Sequence, residues 1–293
     1  MRPVLLAFPL LLVVPSAAAQ DLPVDLVTVE IAPFEEPARP LQGAIATEAT
    51  VRVSCAHANP PGIVHVTHMI AETPTWASTL VSPATDTAGP ERCESGYVTF
   101  IATLTTNVSD QAPAHAPAPI VMASQVGGAS PDEGRASVDV SAAWFSIVDV
   151  QLAEAIAVVA PGASHTFAVK LTNLGNGETE VTLTPGDVGE GISVRVSEPF
   201  RLGSTQAGSN DISREATIEV TADDASGFVN RVAVANVHIT SAYAADATQS
   251  GDDASVSVLV TVRGGTAETL DRIPAPSLLL ALLGGALVAR ARR

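Results

Sequence analysis

Ser255-Val256-Ser257-Val258-Leu259-Val260-Thr261-Val262 sets a valine at every second position. In an extended strand Val256, Val258, Val260 and Val262 share one face, and a helix would scatter them. The same two-residue period recurs outward from this run. Phe167, Val169 and Leu171 alternate with Lys170 in His165 to Thr172. Val98, Phe100, Ala102 and Leu104 alternate with threonines in Tyr97 to Thr106, and Val51, Val53 and Cys55 with Thr50, Arg52 and Ser54. One apolar and one polar face per strand is the pattern of antiparallel sheets with one wet side.

The pattern predicts seven strands in the first half, near Val24–Ile31, Ile45–Cys55, Ile63–Ala71, Ala77–Ser82, Tyr97–Thr106, Ile120–Val126 and Ala136–Trp144. Eight follow, near Phe145–Leu152, Ala155–Ala160, His165–Thr172, Thr179–Thr184, Ile192–Ser197, Arg214–Ala222, Val232–Ser241 and Ser255–Arg263. Seven or eight short strands in about 120 residues is the rhythm of an immunoglobulin-like sandwich. The fold class expected is therefore all-β, two immunoglobulin-like antiparallel β-sandwiches in series, residues 20–144 and 145–263, abutting near Ala143 to Ser146. Gly127 to Gly134 and Asp110 to Pro119 read as loops. Asn173 to Gly177 reads as a turn whose residues tolerate positive φ. A change of apolar phase between Val234 and Val237 suggests a bulge at Ala235-Asn236.

The ends differ from the body. Met1-Arg2, an apolar run from Val4 to Val14 and Ala17-Ala18-Ala19 form the three parts of a secretory signal, with cleavage expected after residue 19. The alternative is an uncut N-terminal anchor. A stalk, 264–272, leads to a second apolar run within 273–293. That run is short for a membrane helix and is interrupted by Gly284-Gly285, and Arg290, Arg292 and Arg293 close it on the side that should face the cytoplasm. The localisation expected is the cell surface, with the body exported and its C-terminus membrane-held or processed.

This tail resembles the bacterial PEP-CTERM and archaeal PGF-CTERM sorting signals. Its Pro274-Ala275-Pro276-Ser277 stands where those carry a short proline motif, followed by an apolar helix and an arginine cluster. Ala275 replaces the usual glutamate, and Pro-Gly-Phe is absent. The resemblance implies cleavage near Pro274 by a membrane transpeptidase. An ordinary short tail anchor is the other reading.

A second resemblance covers about 40 residues of the second half. Pro161-Gly162, the alternating strand after it and Asn173-Leu174-Gly175-Asn176-Gly177 are similar to the opening of CARDB and NPCBM-associated domains. These are immunoglobulin-like modules of bacterial and archaeal surface proteins. The resemblance implies a fold and a surface setting, and it carries no activity or site.

The chain has 31 acidic and 15 basic residues, and five of the bases are arginines at the two ends. All the acids lie between those ends. So acidic a body repels nucleic acid and anionic lipid, which makes both poor candidates as partners of its surface. Hydrophobic residues make up 46% of the chain, enough for packed cores. Cys55 and Cys93 are its only cysteines, an even count that argues for one disulfide in an exported chain. Two free thiols are the alternative.

Motifs of catalysis are absent: no nucleophile elbow, phosphate loop, dinucleotide fingerprint or His-Glu-x-x-His. His57, His65 and His68 cluster in sequence, but residues three apart on a strand face opposite ways. No metal site is assigned to them. Asp132-Glu133, Asp223-Asp224, Asp246 and Asp252-Asp253 are the positions at which a structural calcium would be sought. No other cofactor is expected. Trp76, after Thr73-Pro74-Thr75, is the candidate exposed sugar platform, and Trp144 reads as core or interface packing. Asn107-Val108-Ser109 is the single N-glycosylation sequon.

The function expected is a non-catalytic structural or adhesive role at the cell surface. The tail would meet the membrane, and surface proteins or glycans would be the partners. The alternative is a carbohydrate-binding accessory module. A glycoside hydrolase comes third, because two carboxylates can converge from anywhere in a chain.

Overall fold

The computed structural model describes residues 26–55, 63–127, 132–225 and 229–264. The expected signal, sorting motif, terminal arginines and His57 lie outside these residues.

Every regular element among the described residues is a strand, apart from one 3₁₀ turn at Pro90–Arg92. The first half holds β1 (Val27–Ile31), β2 (Ile45–Ser54), β3 (Val64–Glu72), β4 (Ala77–Ser82), β5 (Thr85–Ala88), β6 (Tyr97–Val108), β7 (Ala118–Val126) and β8 (Asp132–Val140). They form two four-stranded sheets, in the orders β1-β2-β6-β4 and β5-β3-β7-β8. The inward residues of both sheets meet in one core, with Phe100, Leu104, Ile120 and Met122 fully buried.

The second half holds β9 (Val148–Leu152), β10 (Ile156–Val159), β11 (Ser164–Asn173), β12 (Thr179–Val188), β13 (Ile192–Val196), β14 (Phe200–Leu202), β15 (Ser213–Ala222), β16 (Val229–Tyr243) and β17 (Asp246–Gly264). Its sheets run β13-β15-β11-β9 and β10-β17-β16-β12-β14 around a separate core that includes Phe167, Leu171, Ile218 and Ile239.

The two halves share one topology. Aligning β1, β2, β6 and β4 with β9, β11, β15 and β13 superposes the first sheets strand for strand. Aligning β5, β3, β7 and β8 with β14, β12, β16 and β17 does the same for the second. This is the ABED-against-CFG order of immunoglobulin constant-type sandwiches with one added edge strand. Only β10 has no counterpart, and it pairs parallel with β17.

Several local expectations are corrected. β5 and β14 were not anticipated: Thr-Asp-Thr-Ala has no large apolar residue and Phe-Arg-Leu is too short to show a period. Residues 132–134 belong to β8, with Gly134 opposite Ser124, so the loop after β7 is shorter than expected. The last strand of the first half ends at Val140, and β9 begins only at Val148.

No bulge interrupts β16 at Ala235-Asn236. Its register with β17 runs unbroken from Val229 opposite Gly264 to Thr240 opposite Asp253. The small residues Ala233 and Ala235 take the inward positions, and Val232 and Val234 face out. The irregularity lies instead across the sheet in β12, between Pro185 and Val188, where proline has no N–H to give the ladder.

Candidate functional site at the junction of the two sandwiches

Residues 141–147 connect the two halves and form no strand. Only Ala142 has bridge partners, Ala38 and Ala114, so the rest of the segment's backbone must be satisfied some other way. The first sandwich supplies part of the answer. Ala38 N–H donates to the Ser141 carbonyl at 2.8 Å, and Ala143 N–H to the Ala38 carbonyl at 2.7 Å. His115 N–H donates to the Ala142 carbonyl at 2.8 Å.

The second sandwich supplies the rest through the Asn173–Gly177 turn. The Asn176 side chain accepts from Phe145 N–H at 2.9 Å and donates to the Ala143 carbonyl at 2.9 Å. Its own carbonyl accepts from Ala114 N–H, in the first sandwich, at 3.0 Å. One asparagine therefore holds both sides of the connection and the neighbouring loop. Asn173 supports the turn from below. Its amide nitrogen donates to the Gly177 and Gly203 carbonyls, and its oxygen accepts from Gly175 N–H, each at 2.9 Å. Ser204 Oγ donates to the Gly175 carbonyl at 2.7 Å. Asn173, Asn176 and Ser204 are fully buried. A buried side-chain network with every partner present fixes one geometry, since each loss leaves an unsatisfied group costing about 1–3 kcal/mol.

The glycines of this turn serve close approach, and none of the five residues takes a positive φ. A Cβ on Gly175 would lie 2.5 Å from the Phe145 carbonyl oxygen. One on Gly177 would lie 2.8 Å from Trp144 Cδ1 and 2.9 Å from Ala114 Cβ. Trp144 is buried, with its ring centroid 5.5 Å from that of Tyr243, and the His115 ring is 5.4 Å from the same tyrosine. Ser146 and Ser241 join their hydroxyls at 2.9 Å.

The remaining candidates are dispersed. Cys55 and Cys93 form a disulfide with a Cα–Cα distance of 6.2 Å, tying the end of β2 to the loop that enters β6. Asn107 is exposed near the end of β6. Trp76 is partly buried against the first core, which corrects the exposed platform expected of it. His65 faces out and His68 faces in, 2% exposed. His68 Nδ1 meets Ser124 Oγ at 2.9 Å, and its buried Nε2 has no hydrogen-bond partner among the described residues. Burial pulls the imidazole below its ordinary pKa, and the nearby Asp86 charge opposes this only in part.

The acidic pairs are likewise spread out. Glu133 bonds Gln125 and Arg135. Asp246 bonds Thr248 and Gln249, which holds its carboxyl below the usual range. No three His, Cys, Asp or Glu side chains converge as metal ligands among the described residues. No described helix is long and apolar enough to cross a membrane. A shallow groove beside β1 and β2 is lined by Phe34, Glu35, Glu36 and Glu48.

No protein-family model and no curated protein matches the sequence. Among solved structures, the chain is similar to protocadherin gamma B2 extracellular cadherin domains 3–6, at 8% identity and a TM-score of 0.42. That match covers 82% of this chain and 51% of the protocadherin fragment, so the chain spans about half its length. Mouse cadherin-23 EC22-24 matches at 13% identity and a TM-score of 0.40, covering 80% of this chain and 66% of that one. The CupB6 tip adhesin of Pseudomonas aeruginosa matches at 9% identity and a TM-score of 0.29, covering 81% and 98%. At such overlaps no partner or activity passes from those proteins to this chain.

Proposed function

We propose that the chain is an exported, non-catalytic cell-surface protein with a structural or adhesive role, held at its C-terminus by a membrane-sorting tail. The second sandwich, in this reading, is a CARDB-like spacer, and the first faces outward with the disulfide stapling its loops. The observation that carries the reading is the Asn176 clasp. A spacer must hold one orientation against its neighbour, and a buried junction tied by Asn176 to residues of the connection, with no room for a methyl group at Gly175 or Gly177, supports that role. A domain pair that closes over a substrate needs a hinge at this point. The acidic surface and the single disulfide suit an extracellular setting.

The carbohydrate-binding alternative is less favoured, because Trp144 is buried and Trp76 is half-buried against the first core. Fractionation of native cells followed by intact mass of the membrane-associated protein tests the proposal. The expected species lacks residues 1–19, carries the disulfide and is removed by protease added to intact cells. A full-length, reduced polypeptide in the cytosol would overturn it.

A further inference from the structure

Asn107-Val108-Ser109 lies at the end of β6, and residues two apart on an extended strand share a face. Val108 is 5% exposed and packs into the first core. Asn107 points the other way and is exposed. Ser109 follows at the same parity and is partly exposed, with its N–H donated to the Trp76 carbonyl at 2.9 Å. The two side chains that define an N-glycosylation sequon therefore stand on the outer face. Only the middle residue, which need merely not be proline, turns in. No hydrogen bond among the described residues engages the Asn107 side chain.

The strand beside Asn107 is an edge that lacks the usual protection. β4 ends its sheet, so its far side presents backbone N–H and C=O groups without a ladder partner. Natural edges are blunted by charge, by proline, by a bulge or by being very short. Among the described residues the other edge strands follow this rule. β1 carries Glu30, β5 Asp86, β8 Glu133, β9 Asp149, β13 Arg195 and β14 Arg201, and β10 has only four residues. β4, Ala-Ser-Thr-Leu-Val-Ser, has six residues with no charge and no proline. Its register with β6 runs without a bulge, and Leu80 on it is 70% exposed. Asn107 is registered opposite Ser78, which is small and exposed. Leu80 is then the diagonal neighbour of Asn107 on the same face, about 7–8 Å away.

We propose that Asn107 carries an N-linked oligosaccharide that covers the β4 edge. The inference rests on the export proposed above, which brings the sequon to the side of the membrane where lipid-linked sugars are transferred. The donor is an oligosaccharide joined through its anomeric carbon to a lipid phosphate or pyrophosphate. The Asn107 amide nitrogen bonds to that carbon. The bond from the carbon to the phosphate oxygen breaks, and the lipid phosphate leaves with the electron pair. The nitrogen gives up one proton, which balances the charge left on the phosphate. The product fits the folded chain, because the Asn107 side chain already faces solvent. Its bulk and hydroxyls supply at β4 what charge supplies at the other edges.

Peptide mass spectrometry of the protein from native cells tests it. The peptide holding residue 107 should exceed its sequence mass by that of an oligosaccharide, and fragmentation should leave the first sugar on Asn107. Ser109→Thr should keep the addition, whereas Asn107→Gln and Ser109→Ala should each lose it. A chain that has lost residues 1–19 and has a bare Asn107 would overturn this inference and leave the export reading standing. An uncut cytosolic chain with a bare Asn107 would overturn both. Shielding has its own readout. Asn107→Gln, with an unchanged thermal transition, should aggregate several-fold faster than the parent when held below that transition. Adding Leu80→Lys should return it to the parent's rate, because a charged residue blunts the edge. Equal aggregation of the parent and Asn107→Gln would overturn the shielding, as would a variant that Leu80→Lys does not slow.

Discussion

Gly177 touches Trp144: a Cβ on the glycine would sit 2.8 Å from the indole Cδ1, closer than carbon atoms pack. The contact joins the turn of the second sandwich to the connection from the first. Gly177→Ala should therefore push the indole away from Tyr243 and cost about 1–3 kcal/mol. The chain's other tryptophan, Trp76, packs against the first core, and a Trp76→Phe background assigns the change in emission to Trp144. The expected result is a red-shifted Trp144 emission and a lower denaturation midpoint.

Asn176 makes a second, separable prediction. Asn176→Ala strips partners from Phe145 N–H and the Ala143 carbonyl, both at the junction. Two buried groups left unsatisfied should cost about 2–4 kcal/mol. Hydrogen exchange should speed up most at Phe145, whose N–H loses its acceptor, with little change deep in either core. Asn176→Asp keeps the acceptor for Phe145 but sets a buried carboxylate oxygen against the Ala143 carbonyl, so at neutral pH it should cost at least as much as Asn176→Ala. A clearly milder loss in Asn176→Asp would contradict the arrangement.

Much of this architecture is legible in the amino-acid sequence, and what is not legible there has a common cause. The strand Ser164–Asn173 was expected within one residue of each end, because Phe167, Val169 and Leu171 alternate with polar neighbours. The outward turn of Val232 and Val234 was not readable. Alanine at 233 and 235 fills the inward positions, so a count of large apolar residues reads the wrong face. Asn173–Gly177 was recognisable as a turn, yet its task was not. The contacts that use Asn176 and Gly177 come from residues more than 30 positions away, and local propensity carries no information about them. Two asparagines and two glycines in five residues exceed what a plain hairpin turn needs, and that surplus was the available sign.

The disulfide offers a test confined to one half. Cys55 and Cys93 are 38 residues apart, and closing such a loop contributes about 4 kcal/mol by chain entropy. The double variant Cys55→Ser with Cys93→Ser should lower the unfolding midpoint of the first sandwich. The second has its own core and no cysteine, so its transition should stay within error of the parent. Differential scanning calorimetry with and without reductant reads both. A second transition that moves equally would mean that the halves unfold as one unit.

His68 predicts how stability depends on pH. In the unfolded chain its imidazole titrates near 6.5. In the fold, burial holds it lower, so between the two values the unfolded state binds more protons than the folded one. Stability then rises with pH through that window and falls with acidification. The contribution is complete above about pH 6.5, and it is lost as pH drops toward the folded value. His65 sits on the opposite face of the same strand and is exposed. His65→Gln should leave the slope of stability against pH intact below about pH 6.5. His68→Gln should flatten it, since an amide of similar reach can still meet Ser124 Oγ but takes up no proton. Urea denaturation at half-unit pH steps distinguishes the two, and an unchanged slope in His68→Gln would place the acid sensitivity elsewhere.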